Sequence, residues 1–242
     1  MTRYVERWYR GYTKAPDLVP FSVQIKESDL LIWAEKNLQD LAYKRLEKER
    51  NNLEAYLRYD PDFLHSLAPV AASPFAPPLC QMMAKAAEKA GVGPMASVAG
   101  AINEMVGEEL RQESEEIIIE NGGDLLVFSR EARVVAVYAG EDSPFSFRIG
   151  IKLPPGKKWG VATSSGIVGH SLSFGKADAV VVVAESSAVA DAWATSLANR
   201  VQEKEDIKKV LKFSQQITDI QGTLIILGEF LGVEGNIQIE RL

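Results

Sequence analysis

Apolar and polar positions alternate from Phe21 to Ile25, and apolar ones then crowd into Leu30-Leu31-Ile32. Together with the aromatic-rich residues 4–12 that precede Pro16 and Pro20, this predicts two or three strands. Over residues 37–59 the period lengthens to three and four, and Leu38, Leu41, Ala42, Leu46, Leu53, Tyr56 and Leu57 form one stripe. That is a helix ended by Asp60-Pro61, with the charged run 44–50 as its solvated face. A proline-rich bend (Pro69, Pro74, Pro77, Pro78) leads into an Ala- and Met-rich helix over 79–90, which Gly91-Val92-Gly93-Pro94 stops. A second helix over 95–106 carries small residues on nearly every side of its first turns. Strands are expected over 115–120, 125–128, 134–138, 145–153, 160–163 and 179–184, a helix over 187–201, and a closing hairpin of 223–227 with 236–239. Helices interleaved with strands in hairpin order predict an α+β (mixed α/β) fold rather than a doubly wound nucleotide fold; no internal repeat, G-x-G-x-x-G or P-loop is present.

Composition narrows the partner more than the fold. At 242 residues, 46% of them apolar, the chain supports either one large domain or two small ones. A net charge of -6 and a pI near 5.2 argue against a nucleic-acid or anionic-membrane surface and in favour of a small-molecule or protein partner. The single cysteine, Cys80, excludes an internal disulfide and a cysteine-rich metal site, and its place near Met82 and Met83 points to packing. Residues 1–7 lack a signal-peptide core, and no stretch approaches the roughly 20 apolar residues needed to span a bilayer, so a cytoplasmic location is expected. The small-residue helix suits either a homo-oligomer contact or a ligand wall.

Candidate chemistry concentrates in residues 163–178, where four serines, a threonine, three glycines and His170 lie between two apolar runs. Hydroxyls and glycines serve a core poorly but suit a polyanion or metal, which needs donors and close backbone approach. Ser164, Ser165, Gly166, Ser171 and Ser173 are therefore candidate ligand contacts, with His170 as acid, base or ligand. A serine-rich hairpin turn is the plainer alternative. Gly122-Gly123, between Asn121 and Asp124, reads first as a hairpin turn and second as a ligand loop. Asp191 and Thr195, four apart on a helix, share a face and can offer oxygen ligands to a hard cation such as Mg²⁺, although solvent exposure also explains such a pair.

Residues 93–100, Glu120-Asn121-Gly122-Gly123-Asp124, residues 163–179 and Ala190-Asp191-Ala192-Trp193-Ala194-Thr195, in this order, make nearly the whole chain resemble the short UPF group of ApbE-like proteins. That group is similar in turn to the larger ApbE family of FAD:protein FMN transferases, which move an FMN phosphoryl from FAD to a protein hydroxyl with Mg²⁺. The resemblance implies a single ApbE-like domain over residues 1–242, or two intimately packed subdomains, with mainly antiparallel sheets and packed helices. It implies Asp191 and Thr195 as metal ligands, the Asn121-Gly122-Gly123-Asp124 turn near the flavin, and a backbone carbonyl at Val98-Ala99-Gly100, assigned to Val98, completing the metal site. The family's Lys in that run is replaced by Ala99.

One departure separates the chain from the transferases: their His-x-x-Asp-Pro-x-Thr-Gly motif has no counterpart between Gly166 and Ala179. Either His170 takes the part of the motif histidine, or the site serves another reaction on a diphosphate-binding frame. Three functions compete. The first is Mg²⁺-dependent binding or transfer of a flavin (FAD or FMN) or related phosphorylated ligand, with Trp159, Phe174 and Trp193 as stacking candidates. The second, also implied by the resemblance, is a non-catalytic accessory role with a protein partner in sulfide assimilation into homocysteine. The third is a structural domain without activity.

Overall fold

The computed structural model describes residue 10, residues 15–166 and residues 174–242. Two sheets and a helical layer make up these residues, an α+β architecture in which every strand pair is antiparallel. The large sheet has eight strands in the order β1 (Val19–Ile25), β2 (Ser28–Ala34), β3 (Ile117–Asn121), β4 (Asp124–Phe128), β7 (Lys158–Ser164), β8 (Ala179–Ala184), β9 (Ile220–Leu227) and β10 (Phe230–Gly235). The small sheet orders β11 (Gln238–Arg241), β6 (Ile149–Leu153) and β5 (Arg133–Ala136).

The same sequence of elements occurs twice in the large sheet. Strands β1 and β2 are followed by helices α1 (Gln39–Tyr59), α2 (Pro61–His65), α3 (Pro78–Ala90) and α4 (Val98–Leu110), then by β3 and β4. Strands β7 and β8 are followed by α5 (Ser187–Ala198) and α6 (Lys204–Ser214), then by β9 and β10. The halves meet at the β4–β7 pairing, Leu125↔Val161 to Phe128↔Lys158. No sequence repeat accompanies this order, because strand pairing asks only for alternation and helix packing only for a stripe.

Burial explains the apolar runs. Successive strand residues point to opposite faces, so Ile117, Ile119, Leu126, Val180 and Val182 pack against the helices, while Ile118, Val127, Val161, Val181 and Val183 pack against the small sheet with Ile151 and Leu153. A strand covered on both faces has no reason to alternate, and all six residues of β8 are buried.

Three expectations are corrected. The closing hairpin is β9 with β10 (Leu227↔Phe230), whereas residues 238–241 leave the large sheet and pair with β6 (Ile239↔Ile151). β10 escapes the sequence pattern because it is an edge strand of half-exposed residues containing Gly232 and Gly235. The charged stretch after residue 201 contains α6, where Ile207 and Val210 form a narrow buried stripe among lysines, started by a reciprocal Glu203/Asp206 capping box. Over 95–106 a 3-10 turn, Pro94–Ser97, precedes α4, which runs on to Leu110. The strand expected over residues 4–12 lies, apart from Arg10, outside the described residues. No described helix is long and apolar enough to cross a membrane.

Candidate functional site

Strand parity collects polar residues at one end of the large sheet, beneath the helices. Asn121 follows Ile117 and Ile119 by twos, Asp124 precedes Leu126 and Phe128 by twos, and Ser164 follows Ala162; all these apolar residues face the helical layer. The three polar side chains therefore share that face, where each is buried. Gly122 and Gly123 join the strands at φ 68° and 101°, the positive angles that a two-residue type I′ turn demands and that glycine adopts without strain. The turn is thus a hairpin turn. Its flanks are also tied into the site: the Asp124 carboxylate accepts from the Thr163 amide (3.3 Å), and the Asn121 amide donates to the Ala99 carbonyl (3.4 Å).

Helices α4 and α5 cross antiparallel above this end. Gly100 makes the crossing possible, since a Cβ there would collide with the backbone of Ser187. One turn along, Asp191 reaches the start of α4, and its Oδ2 accepts the Gly100 amide at 2.9 Å. The residue keeps some exposure, but its carboxyl end is enclosed. Burial pushes its pKa from 3.8 up to about 7, and the amides of Gly100 and Ala99 pull only partly back. No described Lys or Arg pairs with it. Thr195, one turn further along α5, is buried at 6% exposure, and Val98 opens α4.

This donor set fits Mg²⁺ better than a carboxylate cage. Among the described residues no three His, Cys, Asp or Glu side chains converge, whereas Mg²⁺ takes one or two carboxylates beside waters and phosphate oxygens. An enclosed carboxylate that lacks a countercharge is electrostatically suited to a cation. The buried Ser164 hydroxyl and the Asn103 carbonyl have no hydrogen-bond partner among the described residues, so polar capacity remains open here.

Two residues that the sequence reading passed over build the frame. Asn103, wholly buried in α4, donates to the Asp124 carbonyl at 3.0 Å. Glu104, also buried, takes Lys158 at 2.7 Å, the Ser186 hydroxyl at 2.7 Å and the Ala188 amide at 3.4 Å, and so holds the start of α5 to α4. Burial opposes the charge on Lys158, but Glu104 and Glu108 outweigh it and raise its pKa. An Asn-Glu pair among the otherwise apolar residues 98–107 of the helix was the available signal.

The other expected residues divide. Ser165 is buried just past β7, and Gly166 donates to the Ala177 carbonyl at 2.9 Å. Gly166 lies so close to Gly175 that a Cβ would strike its carbonyl, so the chain entering and leaving residues 167–173 is pinched together. His170, Ser171 and Ser173 lie outside the described residues. Of the stacking candidates, Phe174 is exposed, and Trp193 packs beside Phe213 with ring centroids 6.2 Å apart. Trp159 belongs to the opposite core, its indole N–H on the Pro154 carbonyl, and does not face the site.

A family model described as "AbpE bacteria" matches residues 12–238. A UPF0280 protein of Methanococcus aeolicus is 45% identical over 204 residues, 82% of each chain. A UPF0280 protein of Methanocaldococcus jannaschii is 40% identical over 220 residues, 88% of this chain and 89% of that one. Among solved structures, the ApbE protein of Thermotoga maritima aligns with a TM-score of 0.53 at 12% identity, and the flavin transferase ApbE of Vibrio cholerae with 0.51 at 13%. Each alignment covers 93% of this chain and 96% of the other. At such identity the likeness is one of fold.

Proposed function

Because the chain belongs to the ApbE-like family of UPF0280 proteins, we propose that it binds a flavin or a related phosphorylated ligand with Mg²⁺ where α4 and α5 cross the end of the large sheet. The enclosed Asp191 carboxylate carries this reading: it lies 2.9 Å from the Gly100 amide, on one face of α5 with Thr195. Asp191 and Thr195 hold the cation, with the Val98 carbonyl as a third oxygen. The bound Mg²⁺ supplies charge neutralisation on a diphosphate. Ser164, Ser165 and Gly166 face phosphate or ribose oxygens, and the Asn121–Asp124 hairpin borders the ring end of the ligand. His170, Ser171 and Ser173 complete the contacts, His170 as acid or base where transfer occurs. The flavin transferase of Vibrio cholerae shares the fold, which supports the ligand class.

The missing His-x-x-Asp-Pro-x-Thr-Gly motif favours a second reading, an accessory role with a protein partner in sulfur assimilation, in which the site binds but does not transfer.

Calorimetric titration of the metal-stripped protein with FAD, FMN and ADP, with and without Mg²⁺, tests the proposal. Mg²⁺-dependent binding abolished by Asp191→Ala is expected. Failure of all three ligands to bind would remove the flavin reading.

A further inference from the structure

The large sheet ends at β10, whose outer edge has no strand partner among the described residues. Such an edge presents a row of backbone donors and acceptors. Helix α6 lies beside it, and Gly232 lets the helix approach, since a Cβ there would meet Ile207 and Leu211. Between helix and strand runs a groove of about 560 Å³. Its helical wall carries Lys204, Lys208 and Lys212, one per turn, and its strand side is lined by Phe230, Leu231, Gly232 and Glu234, of which Phe230 and Leu231 are 51% and 37% exposed. Lys204 stands 5.4 Å from the centre of the Phe230 ring and makes a 3.8 Å contact with its exposed neighbour Glu205, while Lys208 and Lys212 meet no carboxylate among the described residues. Three lysines against one carboxylate, Glu234, leave the groove positively charged in a chain of net charge -6.

We propose that the β10 edge and the α6 lysine row receive an extended, acidic segment of a partner protein by strand addition. The edge supplies main-chain hydrogen bonds, the incoming strand's carboxylates lie on the helix side and face the lysines beside Phe230, and its alternate apolar side chains lie on the other face beside Leu231. A second copy of this chain suits the edge less well, because two-fold pairing of β10 would bring the two lysine rows together. RNA would answer the lysines but not the strand edge, and the net charge repels it. This surface is separate from the α4–α5 crossing, so its test is independent of the flavin reading.

Fluorescence anisotropy of a labelled peptide alternating Glu and Val, titrated with the full chain, tests the proposal. Saturable binding is expected, weakened roughly tenfold or more by Lys208→Glu/Lys212→Glu and by added salt, and unchanged by Lys48→Glu on the exposed face of α1. The bound peptide should slow hydrogen exchange in residues 230–235, and circular dichroism should show every variant folded. Absence of binding, equal binding of the Lys-for-Glu peptide, or indifference to the charge reversal would overturn the idea. So would a dimer broken by the same reversal, or preference for an oligouridine probe.

Discussion

At Asp191 the cost of enclosing a carboxyl group becomes a pH dependence. Unfolded, the group ionises near its ordinary 3.8; folded and free of metal, it holds its proton to about 7. Its contribution to stability is therefore complete below the unfolded value and is lost as pH rises from there through about 7, a loss on the order of 4 kcal/mol. Urea unfolding in EDTA should show this decline, and Asp191→Asn, which carries no proton to lose, should flatten it. Cys80 shifts in the same direction: burial chiefly, with Glu49 adding, pushes its thiol up to about 12. Because the thiolate is the reactive form, iodoacetamide should label Cys80 only as fast as the protein opens. At this scale much is legible in sequence. Asn121, Asp124 and Ser164 are polar residues at the ends of apolar strands, and parity alone puts them on one face. What sequence does not reveal is depth: nothing in Ala190-Asp191-Ala192 says that the carboxyl meets the first turn of a helix some 90 residues earlier.

Between elements, the crossing of α4 and α5 controls the site's geometry. Gly100→Ala would force the helices apart at Ser187 and should cost roughly 1–3 kcal/mol, as overpacking does, and it should also weaken ligand binding by drawing Asp191 from the α4 amides. Glu104→Ala leaves Lys158 half-buried without its closest carboxylate and frees the start of α5, so a loss of roughly 3 kcal/mol is expected. Thermal melts of both variants, read beside Glu104→Gln, separate lost charge from lost hydrogen bonding. Elements with strong periodicity, such as α1 and β8, follow from their residues, except that α1 buries Glu49, which the charged run 44–50 assigned to solvent. α6 and β10 do not, because each buries only a thin stripe and spends the rest of its surface on solvent and the groove they share.

Across the whole molecule, both cores lean on the same eight strands, so neither can lose its packing while the other keeps it. Trp193 reports on the helical core and Trp159 on the core beneath the small sheet. Urea transitions followed through each, with the other tryptophans replaced by Phe, should coincide. The small sheet was the least legible part, since β11 is four residues long and partners a strand nearly ninety positions away.

The β4–β7 seam carries one more consequence. Asp124 and Thr163 meet across it, and Gly100 and Asp191 join the same two halves through their helices, so each half of the chain owns only part of the proposed site. A gene cut in the exposed turn around Glu141 and Asp142 would therefore yield two polypeptides, each unable to hold ligand. Co-expression of the two fragments should restore the binding proposed above only where they reassemble.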